Sequence, residues 1–146
     1  MENRATDMQE EWIIIEDDKI PEGQYTVTTF VQNLEGTKIV LDDEINIVEI
    51  FFDGVPFLLR ICEEGVRMRT WGEVQFKYQD KFFFRNHFFY QVQNSALTKW
   101  TIEESCGFFN EEQLKHYCVV TSEEIIDIIA SFEPIVTVSM VPLVGH

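Results

Sequence analysis

The apolar positions of this chain change period along its length. Residues 24–32 (Gln-Tyr-Thr-Val-Thr-Thr-Phe-Val-Gln) alternate and are rich in β-branched and aromatic side chains, which predicts a strand. Asn33-Leu-Glu-Gly36 supplies a turn, and Thr37–Leu41 a second, shorter strand. Asp42-Asp43-Glu44 is the next polar turn, after which Ile45–Phe52 again reads as strand. Asp53-Gly54 is a strong hairpin signal, so Val55–Cys62 is expected to return as the partner. Four strands in a meander are the simplest reading of the first half.

From residue 63 the spacing turns helical. Met68, Trp71, Val74 (or Gln75) and Tyr78 share one helical face, and Glu63-Glu64 suits the positive end of a helix dipole. Against this, Val66-Arg67-Met68-Arg69-Thr70 alternates and Gly72 weakens a helix by about 1 kcal/mol. Residues 64–80 are therefore read as helix, with strand as the open alternative. Phe88–Gln93 reads as strand. Asn94-Ser95 then caps a helix carrying Leu97 and Trp100, ended by Gly107, and Leu114–Val120 is a further strand. Thr121 and Glu124 have the spacing of a capping box, opening a helix with Ile125, Ile126, Ile128, Ile129 and Phe132 as its apolar stripe. Pro134 stops it, and Ile135–Val141 is a last strand. The expected fold is α+β: a twisted, largely antiparallel sheet with about three helices packed on one face. A single domain is expected over residues 24–146, preceded by an acidic, partly irregular segment over 1–23.

Composition sharpens this picture. The 146 residues carry 26 acids against 11 Lys plus Arg, a net charge of −15, yet are 45% hydrophobic with 13 Phe. Disordered chains lack such apolar content, so a folded core is expected. An ordinary cationic nucleic-acid binder is excluded, because phosphate contacts need a basic surface. The charge is uneven: net −12 over residues 1–64, +4 over 65–99 and −7 over 100–146. Met1–Asp7 shows no basic-then-apolar signal pattern. The apolar stretches Trp12–Ile15 and Ile135–Val144 fall short of the ~20 residues a membrane helix needs. Cys62, Cys106 and Cys118 are odd in number and form no C-x-x-C pair, which fits a reducing compartment. A soluble, cytoplasmic protein is expected.

Candidate chemistry is sparse. His116-x-Cys118, with Cys106 upstream, contains soft ligands but lacks the second short-spaced pair of a zinc site, and both residues are better placed in or beside the core. His87 has no acidic neighbour in sequence. No G-x-S-x-G elbow, activated cysteine, Gly-rich phosphate loop or D-x-D-x-D-G calcium loop is present. The tandem acids suit caps and solvent-facing turns better than the two distinct carboxylates of a glycosidase. Phe82-Phe83-Phe84 and Phe88-Phe89-Tyr90 around Arg85-Asn86-His87 interleave bases with aromatics, but core packing is the simpler account. The expectation is a non-enzymatic protein without metal or cofactor.

Scattered positions resemble a known class. They are Glu64-Gly-Val-Arg-Met-Arg-Thr-Trp71, Asp80-Lys-Phe-Phe83, Tyr90-Gln-Val-Gln-Asn-Ser95 with Trp100, Glu103-Glu-Ser105 with Gly107, and His116-Tyr117 with Thr121 and Ile126-Asp127-Ile128. Together they resemble the immunity proteins that accompany polymorphic or contact-dependent toxins of Gram-positive bacteria. The resemblance spans about residues 45–138, leaves 1–23 outside, and contains no site motif from which functional residues transfer. It implies inhibition of a cognate toxin's C-terminal domain by binding alone.

Charge points to a basic partner, such as a nuclease, because complementary charge speeds and orients docking, with a plain solubilising face as the open alternative. The candidate partner-binding residues are the turn acids Asp42, Asp43, Glu44 and Asp53, together with Glu103, Glu104, Glu111 and Glu112. Phe108 and Phe109 are the candidate aromatic anchors. Direct contact with nucleic acid or membrane is not expected. The rival readings are a DNA-mimic inhibitor of a restriction or CRISPR nuclease, and a small-ligand-binding domain.

Overall fold

Local β-propensity and two-sided burial dominate this fold. The structure, a computed structural model, describes residues 9–15 and 20–142. Nine strands are described: β1 Glu11–Ile14, β2 Thr26–Asn33, β3 Gly36–Asp42, β4 Asn46–Phe52, β5 Leu58–Glu63, β6 Phe89–Gln93, β7 Lys115–Val120, β8 Glu124–Ala130 and β9 Ile135–Met140. Helices α1 (Met68–Tyr78), α2 (Phe83–Asn86) and α3 (Ala96–Glu104) lie between β5 and β7 in sequence, with a 3-10 turn at Glu64–Arg67 and another at Glu111–Gln113. The strands form two antiparallel sheets, ordered β1-β6-β7-β8-β5 and β2-β3-β4-β9.

Alternation along each strand sorts its side chains into layers. Between the sheets, Ile39, Leu41, Val48, Ile50 and Phe52 meet Phe89, Tyr117, Val119, Ile126 and Ile128. On the other face of the five-stranded sheet, Trp12, Tyr90, Val92, Cys118, Val120 and Ile125 pack under Val74, Phe83 and Phe84. The five-stranded sheet is thus the middle layer, and the α+β expectation holds with a second sheet added. The aromatic run around Arg85 belongs mainly to the core: Phe83, Phe84, Phe88, Phe89 and Tyr90 are all buried.

Three expectations need correction or completion. The stretch read as a capped helix after Thr121 is strand β8. Its Ile residues are β-branched and both of its faces are covered, so no alternation of apolar and polar positions marks it as a strand. Thr121 does accept hydrogen bonds from the Glu123 and Glu124 amides, but it does so while closing the β7–β8 hairpin, with its own N–H donating to the Glu124 carbonyl at 2.9 Å. The side-chain geometry that caps a helix equally closes this turn.

Val55–Cys62 does not return along β4. Gly54 N–H donates to the Phe52 carbonyl in a tight turn, Pro56 has no N–H for a ladder, and Phe57 N–H docks on Ile129 O at 2.8 Å. The chain therefore crosses to the other sheet, where β5 pairs with β8. The meander is confined to β2, β3 and β4.

Within the acidic segment 1–23, Glu11–Ile14 is an edge strand paired with β6. Trp12 is 3% exposed, its N–H donates to Tyr78 Oη at 2.8 Å, and Lys77 Nζ donates to the Glu11 carboxylate at 2.8 Å. The open question at 64–80 resolves to a 3-10 turn followed by α1, with Glu63 accepting from Gly65 N–H.

Trp12 joins β1 to α1 and α2, making edge-on ring contacts with Phe84 and Tyr90. Trp12→Ala is expected to cost about 3–5 kcal/mol of unfolding free energy, as for other buried Trp truncations. Chemical denaturation measures this, and an unchanged midpoint would show that β1 is not part of the cooperative core.

Candidate functional site

The middle sheet carries a charge where a hydrophobic side chain is expected. Asp127 lies in β8, opposite Arg60 on β5 and Cys118 on β7, and it is fully buried. Alternation turns Arg60, His116, Cys118 and Asp127 to the same face, the one covered by helices. Arg67 reaches the same point from the 3-10 turn that precedes α1.

Three side chains converge on the carboxylate. Arg60 Nε donates to Asp127 Oδ2 at 2.9 Å, and its Nη2 lies 2.9 Å from the same oxygen. Arg67 Nη1 donates to Oδ2 at 2.6 Å. His116 Nε2 lies 2.7 Å from Oδ1, and its Nδ1 lies 2.6 Å from Ser95 Oγ. An ionised Asp127 only accepts, so Nε2 carries a proton. His116 Nδ1 pairs with the Ser95 hydroxyl, whose oxygen accepts Thr98 N–H at 3.1 Å as the N-cap of α3.

Burial drives the Asp127 pKa upward, but the His116 hydrogen bond and charge, with Arg67 and Arg60, outweigh it and hold the carboxyl well below the ordinary range. Burial also acts to lower the Arg67 pKa, and Asp127 more than offsets it. The Cys118 thiol is pushed well up, first by burial and then by the adjacent Asp127 charge, so it is no ready thiolate.

The order Ser95–His116–Asp127 matches the residue types of a nucleophilic relay. Ser95 is 2% exposed and its oxygen holds the start of α3. The same chain of contacts locks α3 and the Glu64–Arg67 turn onto the sheet. His116 also lines two open clefts, of about 540 Å³ beside Arg60, Arg67 and Trp100, and about 630 Å³ beside Ser95, Glu111 and Glu112. Sequence reading placed His116 and Cys118 on one strand face beside the core, which the structure shows. It missed Asp127, whose one signal was a lone charge inside an isoleucine run.

The candidate partner-binding residues divide into two groups. Asp42, Asp43 and Glu44 form the β3–β4 turn, at the end of β4 opposite Asp53 and roughly 20 Å from it for a strand of this length. Asp42 accepts Glu44 N–H at 3.3 Å, and Asp43 accepts Ile45 and Asn46 N–H at 3.0 and 2.7 Å. Slight burial raises the Asp43 pKa, but these amides prevail and lower it. Asp42 and Asp43 thus have structural work in the turn.

Asp53 begins the crossing to Phe57, and Phe57 meets Phe109 at 4.7 Å between ring centroids, with Phe108 5.0 Å beyond. The two Phe residues therefore link the Asp53 loop to the 103–112 segment. Phe108 is 80% exposed, whereas Phe109 is half-buried. Glu103 and Glu104 occupy the C-terminal turn of α3, where carboxylates oppose the helix dipole and no base compensates. Glu111 and Glu112 open the next 3-10 turn, capped reciprocally by Asn110 and Gln113.

Removing the Asp127 charge leaves two arginines facing a neutral group in a buried setting. Asp127→Asn is expected to cost about 3–5 kcal/mol. Because the folded pKa is depressed below 3.8, this stabilisation is fully present above the ordinary carboxylate range and is lost progressively as pH falls from that range through the lower folded pKa. Denaturant unfolding of wild type across acidic pH should show that loss, and the variant should lack it. Equal acid sensitivity in both would refute the assignment.

Compared with protein-family models, curated proteins and solved structures, the chain matches none.

Proposed function

We propose that this protein is a toxin-neutralising immunity protein, acting in the cytoplasm, that binds and blocks a basic toxin domain, a nuclease in the first instance, without catalysis. The observation that carries the reading is the aromatic cluster of Phe57, Phe108 and Phe109, set among Asp53, Glu103, Glu104, Glu111 and Glu112. Interfaces draw affinity from a few aromatic anchors that become desolvated, while surrounding charge steers and orients the encounter. The glutamates at the end of α3 support it further. They gain nothing from the helix they stand on, so a basic partner supplies the compensation that the fold does not.

The described acids gather at separate turns, with Lys77, Arg67 and Arg60 engaged between them. A DNA mimic needs one continuous row of phosphate-like charge, so a protein partner is favoured. No described helix is long and apolar enough to cross a membrane. The two clefts beside His116 favour small-ligand binding as a second reading.

Co-expression with the product of the neighbouring gene tests the proposal. The expected result is rescue of growth and a stable complex. Phe108→Ala should weaken the complex by about 10- to 100-fold, mainly by faster dissociation. Charge reversal of Glu103, Glu104, Glu111 and Glu112 to Lys should slow association by about tenfold or more and flatten its salt dependence. A toxic neighbour that is neither bound nor neutralised would sink the reading.

A further inference from the structure

The donors left over around Asp127 define a second site. Asp127 Oδ2 engages Arg60 through Nε and Nη2, and Arg67 through Nη1. Arg67 retains its Nε–Nη2 fork, and Arg60 its Nη1, with no protein partner among the described residues. Thr37 Oγ1 is the one fully buried side-chain polar atom without a partner among those residues, so these guanidinium donors are reached by water. Both arginines line the cleft of about 540 Å³, which falls in the size range of small-molecule sites. Their side chains are 39% and 13% exposed, which places Arg67 deeper and Arg60 nearer the mouth.

We propose that this cleft binds a small organic monoanion: a carboxylate carried on a flat apolar body. Two guanidinium groups share one buried carboxylate, and the Nε–Nη2 fork of Arg67 is left without a protein partner among the described residues. A partly desolvated guanidinium fork favours a planar carboxylate that accepts two parallel hydrogen bonds. The apolar body is accounted for by Trp100 and Leu97, which line the same cleft from α3, Trp100 with half its surface exposed.

Glu10 selects a monoanion over phosphate. It also lines the cleft, its oxygens accepting Trp12 Nε1–H at 3.2 Å and Ala96 N–H at 2.8 Å. Its carboxylate and that of Asp127 already match the two arginines in charge, so each further negative charge on the ligand adds repulsion and a dianion is disfavoured against a monoanion. The cleft borders the Phe57–Phe109 cluster through Leu58 and through Trp100 of α3, but its donors are Arg60 and Arg67, and it does not depend on the protein-binding reading.

Titration of the full chain with sodium benzoate, benzamide and inorganic phosphate, followed by proton–nitrogen correlation spectra, tests the proposal. Benzoate should give saturable shifts at the Trp100 indole and Arg67 Nε–H. Benzamide, with the same shape but no charge, and phosphate, with charge but no apolar body, should each bind about tenfold more weakly or worse. Arg60→Gln and Trp100→Ala should each weaken benzoate binding by about tenfold. Trp100→Ala does not touch Asp127, so it stays informative if Arg60→Gln unfolds. Absence of saturable shifts, benzamide or phosphate binding as tightly as benzoate, or undiminished binding by folded Arg60→Gln or Trp100→Ala, would each overturn it.

Discussion

Asp127 places a full negative charge in an interior strand of a sheet packed on both faces. A carboxylate there is tolerated only when its lone pairs and its charge are both answered. Arg60 answers from the neighbouring strand, Arg67 from the turn before α1, and His116 from the strand on the other side. His116 passes the constraint on through Ser95 to the first turn of α3. Helix placement, the 3-10 turn and the clefts between them thus all refer back to one carboxylate. Such a cluster adds less net stability than an apolar core of equal volume. It does penalise every arrangement in which one partner is missing.

The same cluster changes how the −15 charge is understood. Half of the bases in segment 65–99 are engaged: Arg67 neutralises Asp127, Lys77 bridges to Glu11 of β1, and Arg69 pairs with Glu73 within α1. Lys81, Arg85 and Lys99 are exposed. The acids divide by role. Asp42 and Asp43 organise their own turn, whereas Glu103 and Glu104 stand against their helix dipole. That distinction separates acids with a local role from acids available to a partner, and the total charge alone could not draw it.

Much of the local structure was legible in the sequence. The β2–β4 meander, the helical spacing of Met68, Trp71 and Val74, and the Ser95 cap all follow from periodicity and turn chemistry. They were legible because each has one face in the core and one toward water, or a side chain whose capping bond is local. Strand β8 was not, because burial on both faces erases the alternation and leaves an isoleucine run compatible with either state. The Thr121 signal compounded this, since one hydroxyl accepting two amides fits a hairpin turn as well as a helix start. Of the candidate site, the acids and Phe108 could be named as exposed turn residues, but not which of them come together.

The sequence by itself determined that this chain is α+β, that its apolar content suffices for a core, and that it carries a large excess of acid. Those properties depend on composition and on contacts between near neighbours. Only the tertiary structure decided that Val55–Cys62 leaves one sheet for the other, that Trp12 closes the core from the acidic N-terminal segment, and that Arg60, Arg67, Ser95 and His116 meet around Asp127. Each of these joins residues far apart in sequence, and no local propensity encodes such a meeting. It follows from the need to bury both faces of the middle sheet at once and to compensate the carboxylate buried under its helical layer.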